Sequence, residues 1–413
     1  MEKIKVKIFE MANFKSPGPD GFPPSFYKQY WHIVGKQVTE AILHFFPSGN
    51  IVQALNHTYI SLIPKSPKAD SVDQFRPISL CNTIYKAISK ILADRIKSHL
   101  EKIISPFEMA FVKGRNISEN SIITQEIMHY LHGKKGKKGY MAIKIDLSKA
   151  YDRVEWPFLL KLLESIGFNE TFVNWISKCI GTTSFSLLIN GAAFDFFRPS
   201  RGIRQGDPLS PYLFIIYAEF FSWMLFQDES LGNIKGIKVC RNAPTISHLL
   251  YADDLLIFCM TEERDAQAIR RCLEKFEVWS SQMTNSRKSL IHFSQNVLGR
   301  QKILIQDILQ MPECTHRVKH LGPPFCKPGA RSQVFNELPE KLSNKLSSWK
   351  AKNLSRAGKL IRIKNAVQSV PVYHMSTFLL SKGTCSKMDK MARRFWWQSK
   401  ETDQTKNFLA LKS

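Results

Sequence analysis

The chain has 413 residues with 44% hydrophobic content, so it is long enough to form two or three subdomains around separate cores. Its 59 Lys and Arg residues against 35 Asp and Glu give a formal net charge of +24, which predicts a polyanionic partner, nucleic acid before an acidic membrane. The eight cysteines form no C-x-x-C pair, which argues against a zinc site or a disulfide framework and indicates a reducing compartment.

The sequence carries no signal for secretion or for insertion into a membrane. The amino-terminal residues lack a signal-peptide core, so we expect a nuclear or cytoplasmic protein that is not secreted. The most apolar stretch, residues 209–227, contains Pro211 and Glu219, and its longest uncharged run is too short to cross a bilayer. It therefore predicts a buried helix, and we expect no membrane partner.

The first 140 residues alternate loop signals with regular elements. Residues 15–21 are rich in Pro and Gly and predict a stiff loop, and residues 59–65 read as a strand that ends at a proline. Helical periodicity runs through residues 79–100. Residues 132–139 contain lysine and glycine but no apolar side chain, so they predict a flexible basic loop, for which a solvated linker is favoured over phosphate contact.

From residue 141 onward the pattern predicts alternating strands and helices. These are a buried strand at 141–147, a helix at 155–166 stopped by Gly167, a hairpin at 184–197 around Asn190-Gly191, an apolar helix from Leu209 and a helix at 262–280. Residues 341–364 hold eight Lys or Arg and no Asp or Glu. Leu342, Leu346 and Trp349 recur there at helical spacing, which predicts one basic amphipathic helix.

The motif Tyr251-Ala252-Asp253-Asp254 lies between two short apolar runs that read as buried strands. Successive side chains of a continuous strand point to opposite faces, so the two carboxylates can converge only if residues 252–254 form a hairpin turn. An Asp-Asp pair alone is usually a solvated turn. Burial of unpaired carboxylates costs several kcal/mol, however, and the apolar flanks therefore favour a site for a divalent cation.

Asp146 stands at the end of the predicted strand 141–147. If this strand neighbours the acidic hairpin in one sheet, three carboxylates meet at one edge. Such a site suits a pair of Mg²⁺ ions roughly 4 Å apart, one activating an attacking oxygen and the other stabilising a leaving oxygen. Oxygen ligands without a His or Cys cluster favour Mg²⁺, with Mn²⁺ possible, over zinc. We therefore predict in-line phosphoryl transfer.

Four ordered motifs make the chain resemble reverse transcriptases, most closely those of plant non-LTR (LINE-type) retrotransposons. They are Phe75-Arg76-Pro77-Ile78-Ser79-Leu80, the segment from Ile145 to Asp152, the segment from Gly202 to Pro211, and Tyr251-Ala252-Asp253-Asp254. The resemblance covers nearly the whole chain. It implies an α+β right-hand polymerase with fingers at 1–140, a palm at 141–295 with residual fingers elements around 168–200, a thumb at 296–380 and a basic tail at 381–413.

The resemblance also implies partners and a metal site. The partners are an RNA template, a DNA primer and dNTPs, with no zinc. Asp146 and Asp253 match the principal ligands of Mg²⁺, and Asp254 matches the second member of the pair, which is less directly bound. Tyr151 matches the residue that stacks beneath the incoming sugar and excludes a ribose 2′-OH, although a packed core tyrosine is the alternative.

Further residues acquire roles from the resemblance alone. Gln205 and Gly206 match the loop that lies against the nucleotide and the template. Lys65 and Arg76 match residues that hold the triphosphate, and Lys288 matches a lysine proposed to protonate pyrophosphate, with an exposed structural lysine as the alternative. The expected primer and template contacts are His320, Leu321, Gly322, Lys350 and Lys352.

Several positions depart from the family pattern. Glu108 stands where glutamine is usual, Ser281 where glycine is usual and His320 where an aromatic such as Tyr is usual, and Pro323 is followed by a second proline. The chain also lacks the endonuclease and ribonuclease H regions of intact elements, which indicates a fragment. Two readings follow: an RNA-directed DNA polymerase, or an inactive nucleic-acid-binding remnant. Group II intron-type and telomerase-like polymerases are less favoured relatives.

Overall fold

The computed structural model describes residues 2–314, 318–321, 324–325, 335, 337–347 and 354–397. It confirms the α+β fold class, because helices and two four-stranded sheets occur together. The chain divides into two compact units. The first unit comprises residues 1–120 and 133–314, and the second comprises residues 121–132 and 315–413.

Two four-stranded sheets organise the first unit. Sheet 1 has the strand order β2-β1-β4-β5, and sheet 2 has the order β6-β7-β3-β8. The strands are β1 (His57–Pro64), β2 (Phe75–Cys81), β3 (Tyr140–Asp146), β4 (Ser184–Ile189), β5 (Ala192–Phe197), β6 (His248–Tyr251), β7 (Asp254–Met260) and β8 (Leu290–Phe293). All pairs are antiparallel except β1 with β4.

Helices connect these strands along the chain. They are α1 (Glu2–Phe9), α2 (Pro24–Gln29), α3 (Trp31–Ser48), α4 (Gln53–Asn56), a 3₁₀ turn (Val72–Gln74), α5 (Thr83–Lys97), α6 (Leu100–Ile103), α7 (Ile117–Gly133), α8 (Trp156–Ile166), α9 (Glu170–Gly181), α10 (Ser210–Ser230), α11 (Glu263–Ser280) and α12 (Gly299–Leu309). Residues 121–132 of α7 belong to the second unit. The predicted stop of α8 is confirmed, since Gly167 caps it at φ 98°.

The core of the first unit explains why sheet 2 reads as continuous apolar runs. Strand β3 lies in the interior of the sheet between β7 and β8, and Ile143 and Ile257 are fully buried in one core cluster. The long helix α10 contributes Phe214 and Tyr217 to the same cluster. A strand covered on both faces has no solvent side, so period-two alternation is lost.

The hairpin of β4 and β5 is confirmed, with Asn190 at φ 50° and Gly191 at φ 83° in its two-residue turn.

Strand β2 differs from what the sequence predicted. Residues 79–81 belong to strand β2 and not to the following helix, which begins at Thr83. Pro77 cannot donate a ladder hydrogen bond, and it is tolerated because β2 is an edge strand of sheet 1.

The described part of the second unit consists mainly of helices, with one short antiparallel strand pair, and includes residues 121–132 of α7. Its elements are β9 (Val318–Lys319), β10 (Pro324–Phe325), α13 (Glu337–Leu346), α14 (Arg356–Arg362), a π-helical turn (Ile363–Val367), α15 (Ser369–Met375) and α16 (Lys382–Trp397). The prediction of one basic helix over 341–364 is wrong. Helix α13 has Glu337 in its first turn and ends at Leu346, and a separate helix starts at Arg356, where Ser355 accepts a capping hydrogen bond from the Gly358 N–H.

The predicted boundaries at 296 and 381 do not coincide with the two compact units. Helix α12 clusters with the first unit, and Met388 and Phe395 of α16 pack in the hydrophobic cluster of the second. The division into fingers, palm, thumb and tail stays a prediction. Over the residues that the structure describes, none of the helices is both long and apolar enough to cross a membrane.

Candidate active site

The Asp253-Asp254 motif forms the hairpin turn that convergence of its carboxylates requires. Tyr251 is in register with Asp254, so Ala252 and Asp253 form a two-residue turn between β6 and β7. Ala252 takes a positive φ of 56°. The same register places Asp254 opposite Asp146 of the neighbouring strand β3. Directly opposed residues point to one face of a sheet, so Asp146 and Asp254 lie on one face at the same end of sheet 2, with Asp253 in the adjoining turn.

A loop after α11 fixes the end of strand β3. The Ser289 hydroxyl accepts a hydrogen bond from the Asp146 N–H at 3.0 Å, and the Asp146 carbonyl accepts one from Asn285 N–H at 2.8 Å. Ser148 N–H donates to the Met283 carbonyl at 2.8 Å. The backbone around Asp146 is therefore held from a second side, independently of its pairing with β7.

The electrostatics distinguish the three acids. Asp253 is exposed, yet desolvation by the surrounding protein raises the pKa of its carboxyl, and the charges of Asp254 and Asp146 raise it further while Lys144 opposes them. Lys144 Nζ lies 2.8 Å from Asp254 Oδ1. Lys144 is two residues before Asp146 and thus on the same face of β3. Asp254 consequently has a protein cation as its partner.

The donor set fits a hard divalent cation. Clustered carboxylates raise one another's pKa, and a bound cation would remove that repulsion. Among the residues that the structure describes, however, no group of three or more His, Cys, Asp or Glu side chains is already arranged to hold a metal ion. The pair Asp146 and Asp253 is accordingly the better candidate for ligation, with Asp254 held by Lys144.

Tyr151 lies beside these acids. Its ring stacks on Phe214 with centroids 4.8 Å apart and an interplanar angle of 14°. Burial raises the pKa of the Tyr151 hydroxyl, and the neighbouring charge of Asp253 adds to the rise. The Tyr151 carbonyl accepts a hydrogen bond from Ile203 N–H at 2.9 Å, which joins the strand-end loop to the loop that carries Gln205 and Gly206.

The loop at Gln205 and Gly206 is tied to strand β2. Ser79 N–H donates to the Gln205 carbonyl at 2.8 Å. Gly206 has a φ of 109°, and a Cβ there would lie 3.2 Å from the Ser79 carbonyl oxygen. A side chain at this position would strain the backbone and crowd β2, so the glycine permits the close approach.

A buried ion pair anchors the same loop. Arg204 Nη2 lies 3.3 Å from Asp207 Oδ2, and both side chains are only 4% exposed. Tyr85 donates its hydroxyl hydrogen to Asp207 at 2.9 Å, while the Arg204 guanidinium lies 3.9 Å from the Tyr85 ring centroid. Arg204 also donates to Asn56 Oδ1 at 2.8 Å. The loop is thereby fixed at both of its ends.

Lys65 immediately follows strand β1, and Arg76 is the second residue of strand β2. Lys65 Nζ donates to the Asp73 carbonyl at 2.8 Å, and Lys149 Nζ lies 3.1 Å from Asp73 Oδ1. Burial raises the pKa of Asp152, whereas the charges of Lys149 and Lys65 lower it. The two lysines are therefore near the segment that follows Asp146. Arg76 is exposed and in register with Ile63.

Lys288 lies in the first unit, and the described primer and template candidates lie in the second. Lys288 is exposed, immediately before the Ser289 that holds Asp146, and its N–H donates to the Asn285 carbonyl at 3.0 Å. His320 is buried in the second unit, where the Leu321 carbonyl accepts a hydrogen bond from the Tyr373 hydroxyl. The remaining predicted primer and template contacts, Gly322, Lys350 and Lys352, lie outside the described residues.

Sequence reasoning missed the residues that support the acids. Lys144 carried a signal, since an ionisable side chain two residues before Asp146 must share its face. Ser289 carried none, because its partner Asp146 is 143 positions away. Arg204 and Asp207 lie three positions apart, but the residues that enclose the pair, Tyr85 and Asn56, are distant in sequence.

The sequence pattern of the family described as "Reverse transcriptase (RNA-dependent DNA polymerase)" matches residues 63–322. This match spans more than half of the chain and includes every acid discussed above. The chain belongs to the reverse transcriptase family.

Its relatives include proteins of non-LTR retrotransposons. The chain is 26% identical over 408 residues to the transposon TX1 uncharacterized 149 kDa protein of Xenopus laevis, covering 97% of this chain and 30% of that protein. It is 29% identical over 246 residues to the Pol polyprotein of the type-2 retrotransposable element R2DM of Drosophila melanogaster, covering 60% of this chain and 22% of that protein. The chain thus spans less than a third of the length of either relative.

Among solved structures, the chain is similar to telomerase from Candida albicans in complex with a TWJ fragment of telomeric RNA. The TM-score is 0.42 at 12% sequence identity, covering 91% of this chain and 63% of that chain.

Proposed function

We propose that this chain is an RNA-directed DNA polymerase of the plant non-LTR (LINE-type) class, which joins dNTPs to a primer 3′-OH on an RNA template. The observation that carries the proposal is the meeting of Asp146 with the Asp253-Asp254 turn at one sheet edge. Family membership supports the reaction type. The proposed metal is Mg²⁺, with Mn²⁺ as a substitute.

The chain's own residues would divide the work. Asp146 and Asp253 would hold the divalent cations, whose chemistry would be activation of the primer oxygen and neutralisation of charge on the phosphates. Lys144 neutralises Asp254, so the total negative charge at the site is lower than the three acids suggest. The Tyr151 ring, backed by Phe214, forms a floor for the incoming sugar.

Cationic residues would bind the triphosphate. Lys65 and Arg76 provide a compact charge and a planar fork respectively, and Lys149 adds a third cation beside Lys65. Gly206 is exposed and Gln205 partly exposed, so a nucleotide could contact this loop. Lys288 is proposed to supply a proton to the departing pyrophosphate.

Primer extension on an RNA template with dNTPs and Mg²⁺ tests the proposal. We expect extension by the wild-type chain and a loss of about a thousandfold in Asp253→Asn, because one ligand is worth several kcal/mol of transition-state stabilisation. Asp254→Asn should lose less. Asp195→Asn is the matched control, since Asp195 is an exposed acid in strand β5 of sheet 1.

The outcomes separate activity from site assignment. Well-folded wild-type protein that extends no primer would refute the polymerase. Equal extension by the wild type and Asp253→Asn would refute the assigned site while leaving the reaction standing.

A second candidate is an inactive remnant that binds nucleic acid without copying it. It is favoured by Ser281, which occupies a left-handed conformation at φ 54° where glycine is the usual residue. Both candidates predict salt-sensitive binding to an RNA–DNA duplex, because Lys and Arg release counterions from phosphates. Fluorescence anisotropy at rising salt measures this. Affinity independent of salt would contradict both, and binding without extension would select the remnant.

A further inference from the structure

A second acid lies directly behind the Asp253-Asp254 turn. The Glu108 side chain is fully buried, and its two carboxylate oxygens each lie 3.2 Å from the Ala252 nitrogen, whose N–H they share. Glu108 Oε1 also accepts the Ala110 N–H at 2.6 Å. The carboxylate therefore grips the first residue of the two-residue turn through the main chain.

The segment that carries Glu108 is itself fixed beside strand β6. Leu250 N–H donates to the Phe107 carbonyl at 2.9 Å, and Met109 N–H donates to the Leu250 carbonyl at 3.1 Å. The Arg115 guanidinium donates to the Glu108 carbonyl. These bonds fix the backbone of residues 107–109 beside strand β6, so the Glu108 carboxylate is held where it can accept the Ala252 N–H.

The turn needs such a constraint. Ala252 has a side chain yet takes a φ of 56°, a conformation that the Cβ disfavours. If the Ala252 N–H had no acceptor, no hydrogen bond of that group would offset the cost of its positive φ. An acceptor aimed at that N–H stabilises the turn in the conformation that presents Asp253 beside Asp146.

We propose that Glu108 is a positioning residue, which fixes the Ala252–Asp253 turn and thereby the placement of the Asp253 carboxylate. The role rests on the proposed polymerase function, because only metal binding and nucleotidyl transfer make the placement of Asp253 consequential. Its hydrogen bonds to the hairpin go to the backbone N–H of Ala252, so Glu108 acts on the placement of Asp253 through the main chain.

The energetics support a specific role for the carboxylate. Burial raises the pKa of Glu108 to about 7, while the N–H groups of Ala110 and Ala252 oppose that rise. A buried acid is costly, and a glutamine, the residue usual at this position in the family, offers the turn one acceptor oxygen where Glu108 offers two.

A matched control exists in the same unit. Glu219 on helix α10 is also fully buried, and burial likewise raises its pKa to about 7. Its carboxylate accepts from Ser105 N–H at 3.0 Å and from the Ser105 hydroxyl at 3.3 Å, and not from the hairpin. Replacing Glu219 removes an equally buried acid and leaves the grip on Ala252 in place.

Amide hydrogen exchange measures the hydrogen bond between the Ala252 N–H and the Glu108 carboxylate without requiring activity. In the full chain, the Ala252 amide should exchange about tenfold faster in Glu108→Met than in wild type, equivalent to about 1.4 kcal/mol. Glu108→Gln should show a smaller increase of about threefold. Glu219→Gln and Glu219→Met should leave the Ala252 rate unchanged, even if both lower the melting temperature.

Titration with Mn²⁺ alone gives the second readout. We expect Glu108→Met to bind Mn²⁺ about tenfold more weakly, and the Glu219 variants to bind it as the wild type does. An unchanged Ala252 exchange rate in Glu108→Gln overturns the proposal even if Glu108→Met fails to fold. Equal changes in the Glu108 and Glu219 variants also overturn it, since they would show a general loss of stability.

These readouts separate this proposal from the polymerase function. Wild-type protein that extends no primer would refute the polymerase, yet faster Ala252 exchange in the Glu108 variants would still establish the grip. Conversely, if the wild-type protein extends a primer but the Ala252 exchange rate is unchanged in the Glu108 variants, only the positioning role is refuted.

Discussion

The two sheets of the first unit differ in how they meet solvent. In sheet 2, residues 255–260 of strand β7 are all buried, and the acids stand at the end of this packed layer. In sheet 1, all six residues of edge strand β5 are exposed, including Phe194 at 51% and Phe196 at 57%. Packing thus fixes the strand that follows the acidic turn in sheet 2, whereas sheet 1 leaves an aromatic edge open.

The difference shows what each sheet can do. Close-packed interiors resist small displacements, so a carboxylate at the end of a buried strand keeps its position against neighbouring charge. An open edge strand has no such constraint, and its side chains can rearrange to fit a partner. The predictions below test whether this contrast holds, beginning with the largest expected effect.

Two phenylalanine substitutions compare the packing of strands β7 and β5 directly. Phe258→Ala in strand β7 removes a fully buried ring and should lower the free energy of unfolding by about 3–5 kcal/mol. Phe194→Ala in strand β5 should cost less than about 1 kcal/mol, because half of that ring is already in water. Urea unfolding of the two variants measures both values. Similar costs would show that β5 is packed in solution.

Buried carboxylates behind sheet 2 should make stability depend on pH. Burial raises the pKa of Glu219 to about 7, so the folded state binds a proton that the unfolded state releases near pH 4.5. The stability that Glu219 contributes is complete below pH 4.5 and is lost as pH rises through 7. Relative to Glu219→Gln, wild-type protein should lose about 3 kcal/mol between pH 5 and pH 8.

Urea unfolding of both proteins at the two pH values measures this difference. His248, whose pKa burial lowers to about 3, weakens the fold as pH falls, but it is common to both proteins and cancels. A difference that stays constant with pH would mean that Glu219 titrates normally and is not desolvated.

The sequence predicted the elements that periodicity defines and missed those that distant partners define. The hairpin at Asp253-Asp254 followed from two apolar runs around a polar pair, and its neighbourhood to Asp146 followed from two strands that both read as buried. Strand β2 was missed because residues 79–81 continue smoothly into a helical pattern, and only its pairing with β1 makes them strand.

The supporting residues of the site were hidden for the same physical reason. Glu108 and Ala252 are 144 positions apart, so no local pattern joins them. Glu108 was noted only as a departure from a family pattern. A buried acid looks like an exposed one in sequence, because burial is set by packing that the neighbouring residues do not encode.

Substitution of Tyr151 tests whether its ring excludes a ribose 2′-hydroxyl from the site beside sheet 2. If its ring blocks the volume of a 2′-hydroxyl, Tyr151→Val should shift the kcat/KM ratio of dNTP over rNTP by about tenfold, equivalent to about 1.4 kcal/mol. Tyr151→Phe keeps the ring stacked on Phe214 and should keep the ratio. Steady-state extension with each nucleotide measures it.

The alternative for Tyr151 is a packing role alone. The half-buried ring would then lower both activities and the melting temperature together, without changing their ratio. An unchanged ratio in a folded, active Tyr151→Val protein would exclude the gate.

The smallest predicted effect concerns the loop that holds Asp146. Ser281 ends helix α11 at φ 54°, where the Cβ of an L residue is unfavourable. Ser281→Gly should raise the free energy of unfolding by about 0.5–1 kcal/mol, after allowing for the greater freedom of glycine in the unfolded chain. Gln310, at φ 56° after helix α12, is a matched position, and Gln310→Gly should give a similar gain.

Ser280→Gly is the opposing control, because Ser280 is buried in the last turn of α11 and its hydroxyl donates to the Phe276 carbonyl. It should lower stability by about 1 kcal/mol. Thermal unfolding of the three variants ranks them. If Ser281→Gly is no more stable than wild type, the left-handed conformation of Ser281 does not destabilise the fold. Ser281 would then give no support to the inactive remnant.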